Sequence, residues 1–292
     1  MLIITQENLF FLEKLFYTWK KYEMSENILQ KIINNRIKEI EKRKSIFPIE
    51  KYKENIIEYN HMYGRKYYDF KNKILNNIKN NKISIIGEIK QASPSAGVLI
   101  KDYYPQGIAK IYKNKNITCL SVLTEEEYFL GDMQDIFLCK EKDIGLPILC
   151  KDFFVDKYQI YWSRSKGADA ILIILAGISD KLADELYDEA LKLNMSVIVE
   201  VHTIKEAKSA LRFKEALIGI NNRNLKTLKT DLKTTYDIHD VLINHKGPLI
   251  SESGIKNKDE VLELSQKTKI KTFLIGESLL KDLDKNSIFS VL

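Results

Sequence analysis

Residues 85–97 read IIGEIKQASPSAG, an apolar run of the kind that forms a buried strand, yet it carries Glu88 and Lys90 two positions apart. Side chains two apart on a strand point to the same face. A segment that belongs in an interior therefore aims two opposite charges in one direction, and a Pro-Ser turn follows at once. The fold must give those charges something to face.

The run is the first of eight. It begins as ISIIGEI at Ile83 and is followed by ITCLSVL from Ile117, PILCKDF from Pro147, DAILIIL from Asp169, SVIVEV from Ser196, ALIGIN from Ala216, PLISES from Pro248 and TFLIGE from Thr272. They recur about every 20 to 35 residues, the rhythm of repeated strand-helix units. Between them lie amphipathic stretches such as SDKLADELYDEALKLN, with Leu182, Leu186, Ala190 and Leu193 as one stripe and Ser179 as N-cap. Pro147 and Pro248 stand at strand starts and Pro105 at a helix start, where a missing N–H does no harm. Eight parallel strands with crossover helices close most simply into an α/β fold, the (β/α)8 TIM barrel. An open doubly wound sheet is the alternative, weakened because no strand is followed by a GxGxxG turn.

In such a barrel the chemistry collects at the carboxyl ends of the strands. The polar residues fall that way: Glu88 and Lys90 end the first strand, Lys151 the third, Glu200 the fifth, Asn221 the sixth and Glu252 the seventh. Any one of them is explained equally well as a solvated residue where a strand runs out. Five strands agreeing favour a shared pocket, because alternation lets all these side chains face the barrel axis. After the last two strands, SESGI at 251–255 and IGES at 275–278 each place a glycine, Gly254 and Gly276, where strand turns into helix. Backbone N–H groups there suit a phosphate. His202 follows Glu200 by two residues but is read as a packing or hydrogen-bonding residue, and no spacing of His, Asp or Glu suggests a metal site.

The bulk composition fits a folded, globular chain. The 292 residues are 45% hydrophobic and 29% charged with 5 prolines, enough apolar material for a core. The net charge of +6 comes from scattered lysines without an arginine-rich or aromatic-basic repeat, so a nucleic-acid partner is not expected. Three spaced cysteines, Cys119, Cys139 and Cys150, favour neither a disulfide framework nor zinc and fit a reducing, cytoplasmic setting. At the N-terminus, Glu7, Glu13 and Lys14 interrupt the apolar residues before any membrane-length span, so the first two dozen residues read as an amphipathic helix. A second helix is expected over Ser25 to Ser45, with Ile28, Leu29, Ile32, Ile33, Ile37 and Ile40 as its apolar face and Ser25 and Glu26 as its start. A polar, tyrosine-rich connector follows, then a helix over Tyr67 to Lys79. Residues 1–80 thus form an extension with helices packed on the barrel, and residues 81–292 the barrel itself.

With these motifs in place, the chain resembles indole-3-glycerol phosphate synthases of tryptophan biosynthesis. The stretches that carry the likeness are GEIKQASPSAG, LSVLTEEEYFLGDMQDI, PILCKDFFVDKYQI, GADAILII, VIVEVH, IGINNRNLKTLKTDL, SESGI and IGESL, in the family's order, and NILQKIINNRIKEIEKRK is similar to the helix that precedes the barrel. The resemblance implies a carbon-carbon lyase that closes 1-(2-carboxyphenylamino)-1-deoxyribulose 5-phosphate to an indole with loss of carbon dioxide and water. It implies Lys151 as general acid, Glu200 as general base, Lys90 paired with substrate anions, Glu88 orienting the lysines, and Asn221 and Glu252 bonded to the substrate's polar centre. Ser93 and Arg223 would shape the anthranilate end, while Gly254, Gly276 and the backbone at Ser253 and Glu277 would bind phosphate. It implies no metal and no organic cofactor, a small-molecule phosphorylated substrate, no nucleic acid or membrane, and a monomer or weak homodimer.

Ala96 departs from the family pattern, standing where many relatives have a lysine, so one cation near the pocket mouth is missing. Another phosphate-binding barrel, such as a phosphoribosylanthranilate isomerase, is the nearest alternative, opposed by KDFF and NNRNL; the stretch after the eighth strand is also too short for a fused second barrel. A non-catalytic barrel that binds a metabolite is the alternative from another class, opposed by the intact Lys151, Glu200 and Lys90.

Overall fold

A computed structural model describes residues 28–63, 66–140 and 144–292. The helix expected at the N-terminus, and the Ser25 start of the next one, lie outside the described residues. Three helices precede the first strand: α1 (Ile28–Ile46), α2 (Ile49–Tyr63) and α3 (Phe70–Lys79).

Helix α1 buries Ile28, Leu29, Ile32, Ile33, Arg36 and Ile40. The expected apolar face is therefore corrected at one place: Ile37 is 45% exposed, and Arg36, 1% exposed, takes the buried line between Ile32 and Ile40 that four-residue spacing defines. The tyrosine-rich segment read as a connector is helix α2. Its apolar face is built from Tyr52 and Tyr59, two turns apart and both buried, a face that hydroxyl-bearing rings disguise in a polar sequence. Tyr52 packs on Tyr158 and Trp162 of the barrel's outer layer, with ring centroids 5.2 and 6.3 Å away. Helix α3 starts three residues later than expected, where the Asp69 carboxylate accepts from the Asn72 N–H at 2.9 Å.

The eight expected strands all form: β1 (Ser84–Ile89), β2 (Cys119–Leu123), β3 (Ile148–Lys151), β4 (Ala170–Ile174), β5 (Ser196–Val201), β6 (Leu217–Asn221), β7 (Leu249–Glu252) and β8 (Thr272–Ile275). They are parallel and close into a barrel, each paired with its neighbours in sequence and β8 with β1. Around it run α4 (Pro105–Asn114), α5 (Glu126–Phe129), α6 (Met133–Cys139), α7 (Lys157–Ser165), α8 (Asp180–Lys192), α9 (Ile204–Ala210), α10 (Lys233–Leu242), α11 (Lys258–Thr268) and α12 (Glu277–Lys281). Ser179 caps α8 by accepting from the Leu182 N–H at 3.2 Å, as its sequence requires.

Alternation along the strands separates two apolar sets. Ile86, Cys119, Leu149, Leu172, Ile198, Leu217, Ile250 and Leu274 fill the barrel axis, and Phe70 and Ile74 of α3 plug its lower end. The intervening residues, such as Ile85, Val122, Ile171, Val199 and Phe273, pack outward on the helices. Continuing the axial set by two residues toward the strands' carboxyl ends reaches Glu88, Lys151, Glu200, Gly219 with Asn221 beyond it, Glu252 and Gly276. The barrel floor is oil and its upper layer is charge.

Candidate active site

Lys151 is the hub of that layer. As the last residue of β3 its ammonium donates to Glu252 Oε2 at 2.6 Å and to Glu200 Oε2 at 3.2 Å, joining the ends of three strands. Lys90 bonds to the Glu88 carboxylate beside it, so the pair from β1 faces the same space. Asn221 lies next to Glu200, its backbone register opposite Glu252, and its side-chain amide oxygen Oδ1 accepts from the Arg223 N–H at 3.0 Å. The six expected catalytic residues are thus brought into one cluster. Glu252 is 0% exposed and sits beneath Lys151, behind the surface of the cavity.

Two glycines make room for this cluster. A Cβ at Gly219 would stand 1.9 Å from Glu252 Oε1, and a Cβ at Gly276 would stand 2.3 Å from Glu88 Oε1. Both occupy inward positions, so their missing side chains leave the volume the carboxylates fill. Gly276 entered the sequence reading only as a phosphate turn, and Gly219 not at all. The signal for Gly219 was available: a glycine inside an apolar strand marks close approach by something else.

The electrostatics divide the carboxylates. Burial alone raises every carboxylate in the layer, since the charged form loses water. At Glu88 the neighbouring Lys90 and Lys151 outweigh burial and lower the pKa. At Glu200, Lys151, His202 and the Asn221 amide outweigh it strongly and keep the group ionised. At Glu252 burial wins, aided by the charge on Glu200, and the pKa rises in spite of Lys151. Lys151 is pulled up by Glu252, Glu200 and Glu88 against its own burial, so it stands as an ammonium. One proton donor, one ionised acceptor and one carboxylate prone to keep its proton share a few ångströms.

The cavity above the cluster has two lobes. One is apolar, walled by Leu123, Leu172 and Ile174 of the barrel, Ile28, Leu29 and Ile32 of α1, and Phe129 and Phe153. Ser93 lies in its wall, within a short hairpin that pairs Ser93 with Gly97, and accepts from the Ala96 N–H at 3.2 Å. Ala96 itself is an exposed residue of this hairpin's turn. The other lobe is polar, lined by Ser253, Gly254, Gly276, Glu277, Lys256 and Lys281. Ser253 and Gly254 are both left-handed, with φ of 66° and 82°, which turns the backbone after β7 into the lobe. Asn222 holds that turn by donating to the Ser253 carbonyl at 3.1 Å. Glu277 is tied through its side chain to Lys281 at 2.6 Å. Glu88, Lys90, Arg223 and Ser253 line both lobes and stand at the junction between them. Arg223, expected at the apolar end, stands at this junction, its guanidinium donating to the Leu228 carbonyl at 2.7 Å.

Among the described residues no cluster of His, Cys, Asp and Glu is arranged to hold a metal ion, and no helix is long and apolar enough to cross a membrane.

A closed (β/α)8 barrel with an acid-base cluster at the carboxyl ends of its strands, open to an apolar and a polar lobe, has the make-up of a barrel enzyme that moves protons on an amphiphilic small molecule. The family model described as indole-3-glycerol phosphate synthase matches residues 29–291. The chain is 40% identical over 266 residues to an indole-3-glycerol phosphate synthase of Thermoanaerobacter sp. (strain X514), which covers 90% of this chain and 96% of that relative. It is also 40% identical over 257 residues to the tryptophan biosynthesis protein TrpCF of Buchnera aphidicola subsp. Schizaphis graminum, covering 88% of this chain but spanning about half (53%) of that longer protein. Among solved structures, tryptophan synthase subunit alpha of Legionella pneumophila shares the fold at a TM-score of 0.56 and 12% identity, over 74% of this chain and 89% of that one. The chain belongs to the indole-3-glycerol phosphate synthase family, carboxy-lyases of tryptophan biosynthesis.

Proposed function

We propose that this chain converts 1-(2-carboxyphenylamino)-1-deoxyribulose 5-phosphate to indole-3-glycerol phosphate, with loss of carbon dioxide and water. The substrate matches the cavity in kind: an aromatic ring for the apolar lobe, a phosphate for the polar lobe, and a ribulose carbonyl between them over Lys151. Lys90 and Arg223 at the junction face anions, Ser93 helps wall the ring, and the backbone at Ser253, Gly254, Gly276 and Glu277 takes the phosphate.

The ring carbon that bears the carboxylate attacks the carbonyl carbon, forming the new C–C bond. Lys151 gives a proton to the carbonyl oxygen as its charge develops. The C–CO2 bond then breaks and returns its electrons to the ring. Lys151, recharged by the proton held on Glu252 beneath it, gives a second proton to the new hydroxyl, which leaves as water, and Glu200 takes the proton lost from the ring carbon beside the nitrogen. Glu88 keeps Lys90 oriented, Asn221 bonds the polar centre, and Glu252 steadies Lys151 from below. The observation that carries this reading is the ammonium of Lys151 shared between Glu252 at 2.6 Å and Glu200 at 3.2 Å. We also read the protein as cytoplasmic and as a monomer or weak homodimer; its three cysteines are free and buried, which suits a reducing setting.

The test is direct. Purified protein given the substrate should release carbon dioxide and an indole product in equal amounts, followed by indole fluorescence. Bound substrate with neither product would overturn the assignment.

A further inference from the structure

His202 is a buried titratable side chain that the steps above do not use. It follows Glu200 by two residues, so both side chains share the inward face at the end of β5. Its Nε2 lies 3.3 Å from Glu200 Oε1 and its Nδ1 3.5 Å from Glu206 Oε2. Neither contact has the alignment of a hydrogen bond, so the attraction is between charges. A neutral imidazole has one N–H and one lone pair, and here it would present that lone pair to a carboxylate at one of its two nitrogens. Only the imidazolium suits both neighbours.

Glu206 is itself fixed. Its Oε2 accepts from the His202 backbone N–H at 2.8 Å and its Oε1 from the Thr203 hydroxyl at 2.9 Å, within the cap of α9. We propose that His202 is a positioning residue for the reaction: clamped as a cation between the anchored Glu206 and Glu200, it selects Glu200 over Glu252 as the ionised base. Lys151 is closer to Glu252, at 2.6 Å, than to Glu200, at 3.2 Å, and so does not by itself single out Glu200; His202 gives Glu200 a second cation that Glu252 lacks. The other groups around this pair are Asn221 on β6 and, across the cavity outside His202, Arg223, Lys226, Lys229 and Asp231; the turn after β4, Leu175 to Gly177, brings nothing titratable. Burial opposes the charge on His202, but Glu200 and Glu206 push its pKa up to about 9.

The proposal rests on Glu200 being the base, and two measurements keep the failures apart. The first is the pH profile of kcat/KM for wild type, His202→Gln and Glu206→Gln, with folding checked by circular dichroism. The acid limb should move up by about one to two pH units in His202→Gln and by less in Glu206→Gln. A folded His202→Gln variant with an unmoved acid limb overturns the proposal, even if its rate falls. The second needs no turnover: nitrogen-15 NMR of the wild-type imidazoles, of which the chain has 4, should show one histidine protonated on both nitrogens at pH 7.5 and lost in His202→Gln. A neutral His202 at that pH overturns the proposal whatever the enzyme does. An imidazolium at His202 in a protein without turnover sinks the assigned reaction and leaves the clamp standing.

Discussion

Arg36 and Asp152 are joined by two hydrogen bonds, 3.0 Å from Nε and 2.5 Å from Nη2, that tie helix α1 to the residue following Lys151. Asp152 also accepts from the Thr124 hydroxyl at 2.6 Å and the Phe153 N–H at 2.7 Å, so its carboxylate organises the loop that leaves β3. Burial disfavours the Arg36 charge, and Asp152 and Glu39 more than restore it, holding its pKa above the ordinary value. Breaking one side of a buried pair strands the other charge, at a cost of roughly 3–5 kcal/mol. Arg36→Ala should therefore lower the free energy of unfolding by that much, and Arg36→Lys, which keeps the charge but loses the two-armed geometry, by less. Equal stability of wild type and Arg36→Ala in urea denaturation would refute the role.

The two inward glycines make a steric prediction. Gly219→Ala places a methyl 1.9 Å from Glu252 Oε1, and Gly276→Ala one at 2.3 Å from Glu88 Oε1, so each carboxylate must swing away from its lysine. Displacing a catalytic group by about 1 Å can cost roughly 100-fold in rate. Both variants should lose turnover on that scale. Steady-state kinetics on folded protein decides it, and wild-type rates would mean the carboxylates need not hold these positions.

The apolar lobe should govern binding more than chemistry. Ile32 of α1 is part of its wall. Ile32→Ala removes contact with the bound ring and should raise KM roughly tenfold, about 1.4 kcal/mol, while leaving kcat within a few-fold. A fall in kcat with KM unchanged would place the ring elsewhere.

Stability should also carry the signature of His202. Its folded-state pKa is raised, so the stability its charge contributes is fully present below about 6.5 and is lost as pH rises through about 9. The melting temperature of wild type should exceed that of His202→Asn most at pH 6, and the gap should close by pH 9.5. A gap that does not change with pH would assign His202 to packing alone.

The sequence made the barrel legible because its eight apolar runs recur at a steady spacing and five of them end in a polar residue of matching parity, and parity survives folding. Glu88, Lys90, Lys151, Glu200, Asn221 and Glu252 could be grouped for the same reason. What escaped were features whose partners lie far along the chain. Arg36 looks like any charge on a lysine-rich helix until Asp152, 116 residues on, is placed against it. Helix α2 hid its apolar face in tyrosines, and Gly219 matters only through the carboxylate of Glu252 on the next strand. In sequence His202 reads as a packing or hydrogen-bonding residue; the cap that fixes Glu206 is legible as Thr203-x-x-Glu206, but that it sets Glu206 and Glu200 on opposite sides of the imidazole is visible only in the fold.

The central claim is that Lys151 is the proton donor, and turnover of Lys151→Ala, measured by indole fluorescence at saturating substrate, tests it most directly. Removing a positioned general acid should cost about 100- to 10,000-fold in kcat with the barrel intact by circular dichroism. Turnover within a few-fold of wild type would contradict it.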